Sequence, residues 1–149
     1  MAESNLKFCT LGPELKEKLK KFHMRKDKDR AAIVMKINKG KTTVIEDECD
    51  FDIADKQKGI SIEEIVPELP DNDPRYLAYS YSYQHADGRV TYPLVFIYIC
   101  PEGAHPEQAM LYAGSLKGIV NEAKFTKTYD LRDAEEMTTE WLNGKLGYK

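Results

Sequence analysis

Three cysteines and three histidines are the residues of this 149-residue chain best suited to nucleophilic or metal chemistry. Cys100 could pair with His85 or His105, the imidazole taking the thiol proton. Neither flank supplies a nucleophile elbow or an oxyanion hole. A cysteine closing an apolar strand reads instead as a small core residue. No metal set assembles: nothing completes Cys100 and His105, and Cys9 and Cys49 stand at no finger-like spacing. Asp50-Phe51-Asp52-Ile53-Ala54-Asp55 begins like a calcium loop. It places Ala54 where an oxygen ligand is needed and Asp55 where glycine is needed, so it reads as a solvated acidic loop. Gly114 and Gly118 lack the lysine and hydroxyl of a phosphate loop. Tyr76, Tyr79, Tyr81 and Tyr83 suggest a base-stacking platform. The return strand Val90-Thr91-Tyr92-Pro93-Leu94 lacks the basic-aromatic pattern that such a platform needs, so cross-strand packing is the expected use. No constellation here makes an enzyme, and none calls for a cofactor.

The elements that carry these residues belong to one domain spanning 1–149. Apolar residues are 42% and charged residues 32% of the chain, an ordinary soluble composition. A chain of this length buries roughly 70% of its extended surface, enough for a core without staples. No apolar run approaches the ~20 residues of a membrane span, and the start MAESNLKFCT is not a secretory signal. An odd number of cysteines at unrelated spacings points to a reducing compartment. Net charge is −3 but unevenly spread. Residues 16–30 hold eight Lys/Arg against three acids, and residues 46–73 hold eleven acids against two lysines. Such asymmetry steers partners. A slightly acidic chain argues against nucleic acid, and a monomer with no membrane partner is expected.

A first helix should start at Pro13, with Leu15, Leu19 and Phe22 on one face. Strands near 31–37 and 42–47 follow, joined through Asn38-Lys39-Gly40. Residues 1–10 read as a flexible segment and 48–59 as an extended acidic loop. Ser61 and Glu64 form a capping box for a second helix, which Pro67 and Pro70 limit to about two turns. Leu77, Tyr79, Tyr81 and Tyr83 alternate along a strand. A turn at Ala86-Asp87-Gly88 leads to a return strand from Arg89 to Cys100, with Pro93 marking a bulge or exposed amide. The stretch Leu94–Ile99 is apolar on both faces, so helices must flank a mixed sheet on both sides. A long helix over 106–123, a strand near 125–131 and a last helix from Thr138 complete an α/β chain.

The long helix is the informative element. At ~100° per residue, Ala109, Tyr112, Ala113, Leu116, Ile119, Val120 and Ala123 form its core face. Glu107, Met110, Gly114, Lys117 and Asn121 lie almost opposite. An outward methionine adapts to a partner's cavity, and glycine allows close backbone approach at a cost in helix stability.

Together these features resemble the actin-depolymerising-factor homology fold and, within it, the glia maturation factor family. The residues that carry the resemblance are KLKKFHMRK (18–26), AAIVMKI (31–37), GISIEEI (59–65), PELPDNDPRYLAYSYSYQHADGRVTYPLVFIY (67–98), PEQAMLYAGS (106–115) and TTEWLNGKLG (138–147). The loop 48–59 is several residues longer than is usual for the family.

The resemblance implies an α+β domain with a central mixed sheet, and an interaction protein with no catalytic role. Its partner would be the actin-related protein 2/3 complex, with inhibition of branched nucleation and detachment of daughter filaments. Cofilin-like proteins use the same helix on actin, with basic residues near its start. Those positions are Glu107 and Ala109 here, so both cations are missing and the chain leans away from actin. A cofilin-like filament binder and severer is the alternative. A first surface is expected over Lys20, Lys21, Arg25, Lys26, Glu107, Gln108, Met110, Gly114, Lys117 and Asn121. A second, at one end of the sheet, would comprise Asp87, Arg89, Glu135, Glu136 and Lys145 and touch the first actin subunit of a daughter filament. Ser4 is a candidate phosphosite. The expected location is the cytoplasm and its actin-rich cortex, with the nucleus as an alternative.

Overall fold

The structure is a computed structural model, and it describes residues 9–24, 31–38, 43–46 and 60–148. Its centre is a six-stranded mixed sheet in the order β1-β3-β2-β4-β7-β8. The strands are β1 (Thr10–Leu11), β2 (Ala31–Ile37), β3 (Thr43–Glu46), β4 (Arg75–Ser80), β7 (Leu94–Ile99) and β8 (Thr128–Leu131). The two outer pairs, β1 with β3 and β7 with β8, are parallel, and the inner pairs are antiparallel. A separate hairpin joins β5 (Tyr83–Gln84) to β6 (Val90–Thr91).

The helices are α1 (Pro13–His23), α2 (Ile62–Ile65), α3 (Pro106–Ala123) and α4 (Thr139–Leu146). Strand alternation divides the core in two. Tyr76, Ala78, Phe96 and Tyr98 pack with Leu15, Leu19 and Phe22 of α1 and Tyr112 and Ile119 of α3. Leu77, Tyr79, Val95, Ile97 and Ile99 pack with Ile62 and Ile65 of α2 and Leu142 of α4. Burial of both faces of β7 therefore has the cause expected, helices on each side.

Several expectations need correction. Cys9 is buried and Thr10–Leu11 pair with β3, so the end of the supposed flexible segment is built into the sheet. The strand expected through Tyr83 stops at Ser80, and the return strand breaks at Tyr92-Pro93. Pro93 has no N–H for a ladder, and its carbonyl accepts from Tyr81 N–H at 3.0 Å. The break sets the β5–β6 hairpin apart from the main sheet. The capping box at Ser61 and Glu64 is present, and the two turns expected are one α turn followed directly by a 3-10 turn over Val66–Glu68. The last strand is shorter than expected because Phe125 is drawn into the core beneath α1. The loop 48–59 lies outside the described residues.

Candidate functional site

The rotation of α3 is set by polar contacts on its inner side. Tyr76 donates its hydroxyl to the Tyr112 carbonyl at 2.6 Å, and Tyr98 donates to the Ala109 carbonyl at 3.3 Å. Tyr112 accepts in turn from Ile37 N–H at 2.8 Å. Ser115 is buried and its Oγ accepts from Cys9 N–H at 3.0 Å. Glu122 accepts from Leu11 N–H at 2.9 Å and meets Lys16 of α1 at 3.6 Å. Burial pushes the phenols of Tyr76 and Tyr98 well above the ordinary tyrosine range, and so keeps them protonated donors.

These anchors turn the buried line to Tyr112, Ser115, Ile119 and Ala123. Ala113, expected inside, is exposed, because Ser115 takes the inward place through its bond to Cys9, just before β1. Glu107, Met110, Gly114, Lys117 and Asn121 all face solvent, and Gln108 is half-buried. Met110 is 75% exposed, the most exposed large hydrophobic among the described residues. His105 caps the helix, its Nδ1 accepting from Glu107 N–H at 3.2 Å. The outer face carries one apolar projection, Met110, with Gly114 about one turn further on.

The basic end of α1 stands at the other end of α3. His23 donates Nε2–H to the Ala123 carbonyl at 2.7 Å and packs on Phe125 at 4.7 Å between ring centres. Lys20 and Lys21 are exposed on that last turn of α1. From Ala123 back to Met110 is about 20 Å of helix. Lys20 and Lys21 thus flank the Asn121 end of the strip and not its Glu107 end. Arg25, Lys26 and Ser4 lie outside the described residues.

The five residues expected at one end of the sheet are divided between two ends. Ser80 pairs with Leu94, so the hairpin carrying Asp87 and Arg89 leaves the sheet where β7 begins. Lys145 is near it, because Tyr148, three residues on, stacks on Tyr83 at 4.3 Å and meets His85 edge-on at 5.0 Å. Its hydroxyl shares a hydrogen bond with Thr91 Oγ1 at 3.1 Å. Glu135 and Glu136 follow β8, at the end where β7 finishes, and line a cavity with Pro101 and Glu102. The parallel pairing of β7 with β8 forces this, since both strands exit at the same end. Within the hairpin, Arg89 N–H and guanidinium donate to Asp87 at 3.0 and 2.9 Å and hold its carboxyl below the usual range.

The chemistry-bearing residues are occupied elsewhere. His85 shares a hydrogen bond with Thr91 at 3.1 Å, and His105 is a helix cap. The described residues contain no group of three His, Cys, Asp or Glu able to hold a metal. Tyr76, Tyr79 and Tyr81 are buried, and Tyr76 lies on the sheet face opposite Tyr79, so they form no platform. The role of Tyr148 was invisible in sequence, because no local pattern pairs residue 83 with residue 148.

Residues 8–147 match the family described as cofilin/tropomyosin-type actin-binding protein. The chain is 48% identical to human glia maturation factor beta over 148 residues, 99% of each chain. It is 36% identical to glia maturation factor of Drosophila melanogaster over 143 residues, covering 96% of this chain and 99% of that one. Among solved structures, glia maturation factor from Caenorhabditis elegans superposes with a TM-score of 0.73 at 36% identity, over 94% of this chain and 96% of that one. A Streptomyces griseoflavus cofilin shares the fold at 20% identity and the same TM-score, over 92% of this chain and 96% of that one.

Proposed function

The chain belongs to the glia maturation factor family within the cofilin/tropomyosin-type actin-binding proteins, and from that premise we propose that it binds the actin-related protein 2/3 complex, inhibits branched nucleation and promotes debranching without binding actin filaments strongly. The family is one of actin-cytoskeleton regulators and not of enzymes. The observation that carries the finer reading is the outer strip of α3. Its rotation is fixed from within, and the resemblance to cofilin-like proteins sets Glu107 and Ala109 at the positions where those proteins use cations. Ala109 is half-buried against the sheet and Glu107 is exposed. A carboxylate facing a surface shaped for a cation costs several kcal/mol when desolvated.

Docking is helix-in-groove: α3 enters a cleft of an actin-related subunit, with Met110 filling a cavity and Gly114 permitting close approach. Occupancy of that cleft excludes the daughter filament's first subunit. Lys20 and Lys21 speed encounter from the Asn121 end. A second contact, on the first actin of a daughter filament, uses Asp87, Arg89 and Lys145 at the hairpin end. Glu135 and Glu136 stand apart from that group. We place the protein in the cytoplasm, at actin-rich structures.

Asp87→Ala with Arg89→Ala tests the two-surface arrangement. Debranching of pre-formed networks should fall while affinity for the free complex is kept. If the two fall together, or neither falls, the arrangement is wrong. A cofilin-like severing activity would show as shortening of unbranched filaments.

A further inference from the structure

A groove of about 460 Å³ opens at the hairpin end, between the last turn of α1, the Tyr92-Pro93-Leu94 break and the turn that follows α3. Its walls include Lys124 and Lys127, its floor Leu94, Phe125 and Tyr148, and no carboxylate is among the described residues lining it. One of the exposed large hydrophobics among the described residues, Tyr92, lines the groove. Lys20 and Lys21 stand on the adjacent turn of α1.

Lys124 carries a second, independent signal. It caps α3 at φ 63°, the one non-glycine residue with positive φ among the described residues. Glycine is the ordinary choice there, and a lysine retains a steric penalty. Strain of this kind collects at functional positions. The helix end itself does not oppose an anion. The Asn121 and Val120 carbonyls accept from Lys124 and Phe125 N–H, and the Ala123 carbonyl accepts from His23. Three of the last four carbonyls are thus paired with donors, which reduces the exposed negative charge of this helix end.

We infer that this groove binds an acidic peptide segment of a protein partner, with an apolar side chain entering over Phe125 and Tyr148 and carboxylates paired to Lys124 and Lys127. Charge complementarity selects the occupant: cationic walls over an aromatic floor fit carboxylates flanking one apolar side chain. This surface lies about 20 Å along α3 from Met110, so the inference is independent of the docking proposed for the outer strip.

The probe is a fluorescein-labelled dodecapeptide of glutamate and aspartate with one central phenylalanine, titrated against the full chain by anisotropy. Saturable binding that weakens with salt and with Phe→Ser in the peptide is the expected result. Lys127→Gln should weaken it two- to fivefold. Lys124→Gly should weaken it similarly while raising the melting temperature by roughly 2–4 °C, because glycine relieves the left-handed backbone. Glu135→Gln, at the opposite end, should leave binding unchanged. No saturable binding up to millimolar peptide overturns the proposal. Binding indifferent to both lysine variants overturns it too, as does a lower melting temperature for Lys124→Gly, which would make the lysine structural. Binding to phosphatidylserine vesicles without binding to the peptide would assign the groove to lipid and refute it. Concentration-dependent dimerisation lost in Lys127→Gln, without peptide binding, would assign it to a second copy and also refute it.

Discussion

The Tyr76 hydroxyl on the central strand β4 lies 2.6 Å from the main-chain carbonyl of Tyr112 on α3, and this bond couples the sheet to the rotation of the helix that presents the outer strip. The carbonyl also belongs to the helix ladder, so the phenol uses its second lone pair. Tyr76→Phe removes a bond without orphaning an acceptor. It should cost about 0.5–1.5 kcal/mol in denaturant unfolding and leave the fold intact.

The same tyrosines set an alkaline limit. Tyr76, Tyr98 and Tyr112 all titrate above their ordinary value of 10.0 because burial disfavours the phenolate. The folded state then holds protons that the unfolded chain releases. Stability is complete below pH ~10 and falls as pH rises beyond it. Absorbance at 295 nm should show these phenols ionising together with loss of near-ultraviolet circular dichroism. Ionisation of all nine tyrosines near pH 10 with the fold retained would contradict the burial.

Gly114 and Met110 probe the strip itself. Gly114→Ala should be neutral or should stabilise the chain by up to ~1 kcal/mol, since alanine outranks glycine within a helix. Gly114→Leu should melt like the wild type yet lose affinity for the complex, because a branched side chain holds the two surfaces apart. Met110→Ala should lose roughly 1–3 kcal/mol of binding, as an anchor near an interface centre does. Melting and affinity are read on the same proteins. A folded Gly114→Leu chain that binds normally would place the contact elsewhere.

Much of this was legible in sequence because it is written in local spacing. Leu15, Leu19 and Phe22 fixed the buried face of α1, Pro106 the start of α3, and the unbroken apolar run 94–99 the double-sided sheet. The outward stripe on α3 followed from helical periodicity. What escaped was long-range. Ser115 replaced Ala113 inside because its hydroxyl meets Cys9, 106 residues away. Nothing local separates Asp87 from Glu135, and only the parallel pairing of β7 with β8 sets them at opposite ends of the sheet.

The hairpin offers a further test of long-range control. It has two residues per strand and no place in the main sheet, and such a ribbon is marginal in water on its own. Tyr148 stacks on Tyr83 and shares a hydrogen bond with Thr91. Tyr148→Ala should accelerate amide exchange at His85 and Gly88, whose N–H groups bond within the turn region, while exchange in β4 and β7 stays slow. Tyr148→Phe, which keeps the stack, should behave nearly as wild type. Equal protection in all three would show that the turn holds itself.

Preference for the actin-related complex over actin would set this chain apart from cofilin-like proteins. Co-sedimentation with filaments alone, beside an affinity titration against the purified actin-related protein 2/3 complex under the same salt, tests it most directly. Saturable binding to the complex is expected, with the chain left in the supernatant when filaments are pelleted at micromolar concentration. Saturable pelleting with filaments in the absence of the complex would contradict it.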